Sequence, residues 1–236
     1  MLKRRLRSVL LWGAAACLVL AVVGVVAGRS AIEAYLQSDR FRQLVASKTG
    51  ETLKANSEFA PFRFSGTHFY SERFEAEGNE GAVFSKLRAD QIRAEVSLRR
   101  FFEGAWRMEQ LSVQRVDVHF DNTAPRPEQA VSSGGTAVDT SSPGWLPNRL
   151  EIGSAIIQET HISWVGGGLR GARLELTQKD GGWLVTGGGG HLQQAGFPSM
   201  EVDRVRLRYQ EPSVFVQSAE LRPEEGGTIT LAGEME

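Results

Sequence analysis

From Phe59 onward apolar and polar residues alternate, and a period of two belongs to β-strands that have one buried and one wet face. The clearest run sets Ile92, Ala94, Val96 and Leu98 against Arg93, Glu95, Ser97 and Arg99. A second run holds Leu111 and Val113, then moves by one residue before Val116, Val118 and Phe120, the step that a β-bulge introduces. The same step separates Val202 from Val205, Leu207 and Tyr209. Further strands are expected around Leu174 and Leu176, Leu184 and Val185, Val214 to Val216, and Ile229 to Leu231. The total is about a dozen, nearly all antiparallel by their short connections. Twenty-six glycines against eight prolines fit a chain rich in tight turns.

Residues 121–148 interrupt the pattern with Pro125, Pro127, Pro143 and Pro147 among Ser, Gly and Thr, the composition of a linker or long loop. The sequence on either side repeats itself. MEQLSVQRVDVHF, Met108 to Phe120, matches IGSAIIQETHISW, Ile152 to Trp164, at an offset of 44, with apolar on apolar at Met108/Ile152, Leu111/Ala155, Val113/Ile157, Val118/Ile162 and Phe120/Trp164. The match is one of pattern with little identity, so it supports repeated strand pairs rather than a duplication. The expected organisation is therefore a basic tip and apolar segment over 1–28, a helix with a first β module over 29–120, the linker over 121–148, and a second β module over 149–236.

Val9 to Ala27 is a run of nineteen uncharged, mostly apolar residues, long enough to cross a bilayer as a helix. Lys3, Arg4, Arg5 and Arg7 precede it and only Arg29 follows closely, which by the positive-inside rule keeps the N-terminus in the cytoplasm and places the rest across the membrane. A cleavable signal peptide is the rival, with Val25 and Ala27 suited to a cut; its apolar core is usually shorter, and both readings export the domain. Cys17, the only cysteine, lies inside this run, so no intrachain disulfide forms. After the span, Ser38 and Asp39 are placed to cap a short helix with Phe41, Leu44 and Val45 on one face.

Chemistry-bearing motifs are scarce. All 28 acidic residues follow the N-terminal basic cluster, against 27 − 4 = 23 basic ones, and a mildly acidic domain gives no reason to expect nucleic acid. His68, His119, His161 and His191 lack metal-ligand spacing, there is no G-x-S-x-G elbow and no G-K-[ST] loop, and the cysteine is in the apolar run. Gly166, Gly168 and Gly171 satisfy G-x-G-x-x-G, but Arg173 to Leu176 alternate as a strand where a dinucleotide site needs a helix. These glycines, and Gly187 to Gly190, are expected in hairpin loops. Glu224 and Glu225 look like solvated turn residues. No catalytic residue, metal ligand or cofactor site is expected.

The order of a basic N-terminus with one span, YLQSDRFRQLVASKTGETL, the FAPFRFSG segment, and LRADQIRAEVSLRRFFEGAWRMEQLSVQRVDVHF resembles the beginning of AsmA-like proteins, best over residues 1–120, with LEIGSAIIQETHISW similar to strand pairs further along such chains. The resemblance implies an inner-membrane anchor, a periplasmic β-groove of curved antiparallel sheet, and a part in phospholipid movement and outer-membrane assembly. On it, Ile92, Ala94, Val96, Leu98, Val116, Val118 and Phe120 would line a groove for acyl chains, unless these faces close on one another as a core. A dozen strands at ~4.8 Å give roughly 55 Å, short for bridging two membranes. Thr230 to Gly233 sit on a strand pattern, and an open edge there invites a further strand from an envelope protein or from a longer gene product. A scaffold offering strand edges, without lipid transport, is the second functional expectation.

Overall fold

The computed structural model describes residues 34–96, 105–120, 149–210 and 213–235. The expected span over 9–27, Leu98 and the linker over 121–148 lie outside them. Among the described residues no helix is long and apolar enough to cross a membrane.

The entry helix forms over Asp39–Leu53 (α1). Ser38 caps it: its backbone is extended and its Oγ accepts from the Phe41 N–H at 3.3 Å, satisfying one of the donors a helix start leaves over. Lys54 closes the helix in the left-handed region, φ 53°, with its N–H returned to the Gly50 carbonyl. Phe41, Ala46 and Gly50 are the buried positions. Gly50 is required where helix and strand backbones meet, because a Cβ there would lie 2.6 Å from the Ala55 carbonyl oxygen.

Twelve strands follow: β1 (Ala55–Phe59), β2 (Phe62–Ser65), β3 (His68–Gly78), β4 (Lys86–Val96), β5 (Ala105–Phe120), β6 (Arg149–Trp164), β7 (Gly167–Lys179), β8 (Gly182–Gly188), β9 (Gly190–Gln194), β10 (Met200–Gln210), β11 (Ser213–Pro223) and β12 (Ile229–Met235). All belong to one sheet, in the order β1-β3-β4-β5-β6-β7-β8-β10-β11-β12. β2 lies in line with β1 along β3, and β9 in line with β8 between β7 and β10. The sheet is thus ten strands across, and nine steps of ~4.8 Å give about 43 Å, less than counting every strand end to end suggests.

Two expectations are corrected. The sheet is mixed where a curved antiparallel sheet was expected: the other pairings are antiparallel, but β5 and β6 pair parallel along their whole length. Their register, Met108↔Ile152, Leu111↔Ala155, Val113↔Ile157, Val118↔Ile162 and Phe120↔Trp164, is the offset of 44 seen in the sequence. Two strands with the same apolar spacing lie in register when parallel, so both present their apolar residues at the same levels. A parallel partner must begin where its predecessor began, and 28 residues, with a reach up to ~95 Å, suffice to return along a strand of about 53 Å. One sheet therefore runs through both expected β modules. The second correction concerns Gly187 to Gly190, which form no hairpin: β8 passes into β9 through Gly189, φ +74°, and both remain paired to β10 and β7. Of the other glycine triplet, Gly166, φ +83°, makes the β6–β7 turn, whereas Gly168 and Gly171 belong to β7.

The anticipated bulges belong to a larger pattern. Core-facing positions step by three instead of two at Ser71/Phe74, Ala89/Ile92, Val113/Val116, Ile157/Thr160, Gly187/Gly190 and Val202/Val205, and the registers place these steps at one level on β3, β4, β5, β6, β8–β9 and β10. Pairing passes over Gln91, itself at φ 53°, together with Gln114 and Gln158 on that line. The main core starts where α1 packs on β1 and β2 and extends across β3–β5: Phe62 touches Phe41, Phe59 and Phe69 with ring centroids 5.9, 5.3 and 4.7 Å apart, and Leu36, Phe74 and Ile92 are buried in the same cluster. A smaller cluster of Met200, Val202 and Leu221 lies further along.

Candidate functional site: a continuous apolar face

Because the steps of three share one level, and the registers shift where β6 and β10 meet the unstepped β7 and β11, the core-facing side chains stay on one face. The registers then join them into rows that cross the sheet. One row runs Ser71, Ile92, Val113, Ile157, Leu174, Gly187, Val205, Ala219, Leu231, strand to strand without a charged residue. A second runs from Phe69 and Ala94 through Leu111, Ala155, Leu176, Val185 and Leu207 to Val216 and Gly233. Two more start at Phe74 and at Ala76 and end at Leu221 and Met200 respectively, the former passing through Thr160 and Ala172, the latter through Leu169 and Leu192. Ser71, fully buried, satisfies its hydroxyl on the Ala60 and Arg73 carbonyls at 3.2 and 3.1 Å. Thr160, 2% exposed, has no partner for its Oγ1.

The face is covered at one end and only in part beyond β5, where Ala155, Thr160, Ala172, Met200, Val202, Ala219 and Leu221 stay buried while their neighbours in the rows are more open. Ile92, Ala94 and Val96 are buried in the core beneath α1, and Val116, Val118 and Phe120 pack half-buried against that core. The expected lipid-contact residues thus sit at its closed end; Leu98 lies outside the described residues. Beyond β5 the same rows are half-buried at Ile157, Leu174, Leu176, Val185, Val205 and Leu207, and open further at Tyr209, Ile229 and Leu231. These positions were missed as groove residues, although their alternation is as regular as that of Ile92 to Val96.

The opposite face is polar, and charges alternate across it. Arg73, Asp90, Arg115 and Glu159 are consecutive cross-strand partners, as are Glu75, Arg88, Asp117, His161, Arg170, His191, Glu201 and Arg222. Opposite charges directly across strands favour this register over its neighbours. Asp90 holds the Arg88 guanidinium pKa above its ordinary value, and Asp117 does the same for Arg115, first by hydrogen bonding and then by charge. The parallel seam also gathers groups that are distant in sequence. His161 lies 3.2 Å from Asp117 Oδ1 through Nδ1 and 3.0 Å from Glu159 Oε1 through Nε2, Arg115 Nη2 is 2.7 Å from Nδ1, and His119 Nδ1 meets Ser163 Oγ. Asp117, His119, His161 and Ser163 line a trough of about 740 Å³ with Glu75, Lys86 and Arg88. Asp117/His161 and His119/Ser163 stand at the offset of 44 of the repeat, which joins them only because its two copies pair in parallel. Charges in the trough are already matched, and no group of three or more His, Cys, Asp or Glu among the described residues is placed to hold a metal.

No protein-family model, curated protein or solved structure matches the chain.

Proposed function

We propose that this chain handles phospholipid in the cell envelope, holding acyl chains along the apolar face of its sheet while headgroups stay in water. The observation that carries this is the set of apolar rows, two of which run from β3 to β12 and are half-buried beyond β5 at Ile157, Leu174, Leu176, Val185, Val205 and Leu207. A soluble domain with no use for that face would cover it, since each buried methylene stabilises by about 0.8 kcal/mol. An acyl chain recovers the same free energy, and no catalytic step is needed. The sequence supports a setting for this: one span over residues 9–27 in a bacterial inner membrane, the N-terminus in the cytoplasm and the sheet in the periplasm, with an AsmA-like β-groove as the general form. The second reading, a scaffold that adds strands of an envelope protein at β12, is favoured by Ile229 and Leu231, 41% and 50% exposed on that strand while α1 covers the sheet at β1.

The test uses a photoreactive residue at Val185 or Leu207 in the full chain within bacterial envelopes, with Thr186 and Arg206 as controls on the opposite face of the same strands. Crosslinks to phospholipid from 185 and 207 and none from 186 and 206 are expected. Equal crosslinking from both faces, or none, would refute lipid handling; crosslinks to protein from β12 alone would favour the scaffold.

A further inference from the structure

β5 and β6 are neighbouring parallel strands, so the chain leaves β5 at Phe120 on one side of the sheet and enters β6 at Arg149 on the other. Residues 121–148 must therefore return along one of the two faces. Chirality selects the face. Seen with the chain running up and a side chain toward the viewer, an L-residue in a strand points its N–H and C=O to the right. Val96, whose buried side chain belongs to the apolar face, donates its N–H to the Thr67 carbonyl at 2.9 Å, on the β3 side. From the apolar face, with β4 running up, β3 thus lies to the right and β5 to the left. Arg73, on the polar face of β3, gives the same answer: its carbonyl accepts from the Ala60 N–H at 2.8 Å, on the β1 side. Turning the view so that β5 and β6 run up places β6 to the right of β5. A connection that steps to the right is right-handed only if it passes in front, over the apolar face, and about 98% of such crossovers are right-handed because strands twist.

We propose that residues 121–148 lie across the apolar face above β5 and β6, so that one occupant of this face is the chain itself. The inference goes beyond the lipid-handling reading and does not depend on it. The return covers about 53 Å and 28 residues reach up to ~95 Å, enough to follow the face. The segment suits an apolar surface: it carries Val131, Val138, Trp145 and Leu146, and only Asp121, Arg126, Glu128 and Asp139 are charged. Beneath this path lie Leu111, Val116, Ile157 and Ile162, half-buried, and covering their remaining apolar surface favours the contact. On the opposite face the segment would meet Arg115, Asp117, Glu159 and His161, whose charges already satisfy one another. Acyl chains then have β8 to β12, where Val185 and Leu207 are half-buried.

The experiment uses cysteine pairs in the full chain, in a C17A background, joined by a short bismaleimide within bacterial envelopes. S133C, midway along the segment, is combined with I157C or with I156C; these neighbours are the same residue type and both half-buried, but face the apolar and the polar side respectively. Crosslinking is expected to be at least about fivefold more efficient with I157C than with I156C. A second comparison on β5, L111C against Q110C, repeats the test should one variant fold poorly. Equal or stronger crosslinking from the polar side overturns the inference, as does no crosslinking from either side. The lipid result is read separately: phospholipid captured at 185 and 207 with S133C linked to I156C leaves the function and removes this inference, and S133C linked to I157C without phospholipid does the reverse.

Discussion

Phe62→Ala should release α1 from the sheet. Phe62 is 4% exposed and joins three elements, touching Phe41 of α1, Phe59 of β1 and Phe69 of β3. Truncating the ring removes on the order of 120 Å² of buried apolar surface, about 3 kcal/mol at 25 cal/mol per Å². Lost edge-to-face contacts and the residual cavity bring the cost to about 4 kcal/mol, within the range for Phe→Ala in cores. The assay is amide hydrogen exchange on the full chain in mild detergent. Amides of Asp39–Leu53 should lose about three decades of protection, since every ~1.4 kcal/mol is tenfold in the opening equilibrium. Phe62→Leu, which keeps most of the volume, should cost less than half as much. A fall of under about tenfold for Phe62→Ala would refute the view that this ring cluster fastens the helix.

Two further substitutions test the sheet. Thr160→Val exchanges an unpartnered, 2% exposed hydroxyl for a methyl of similar size and should stabilise by about 1 kcal/mol in urea unfolding; destabilisation beyond that would reveal a partner for Oγ1. Gly189→Ala has open space for its Cβ but a positive φ, costing about 1 kcal/mol, whereas Gly188→Ala would set a Cβ 2.4 Å from the Asp203 carbonyl oxygen and should cost clearly more in the same assay.

Much of this architecture was legible because period and punctuation are local. Ser38 marked the start of α1, and alternation gave strands β4–β8 and β10–β12, while β9 fell where glycines suggested a turn. What was not legible depends on neighbours. The offset of 44 was visible, yet a repeat says nothing of whether its copies stack apart or pair, and only the register shows that β5 and β6 pair parallel. Similarly, Ile92 and Leu174 are equally apolar and alternate equally well; α1 and the Phe62 cluster cover the first, while the second stays half-buried, and cover is not written in either strand. The gathering of His119, His161, Asp117 and Ser163 escaped notice for the same reason, since spacing along the chain carries no information about groups joined across a seam.

The steps of three in β3–β6, β8–β9 and β10 have a mechanical consequence. At that level Gln91, Gln114 and Gln158 drop out of the pairing and Gly189 turns the backbone, while ladder hydrogen bonding resumes on either side. The line is a crease across the grain of the sheet. A small change of dihedral angle along it, taken up by β3–β6, β8–β9 and β10 and followed by the unstepped β7 between them, would tilt one part of the sheet against the other and alter the width of what the apolar side can enclose.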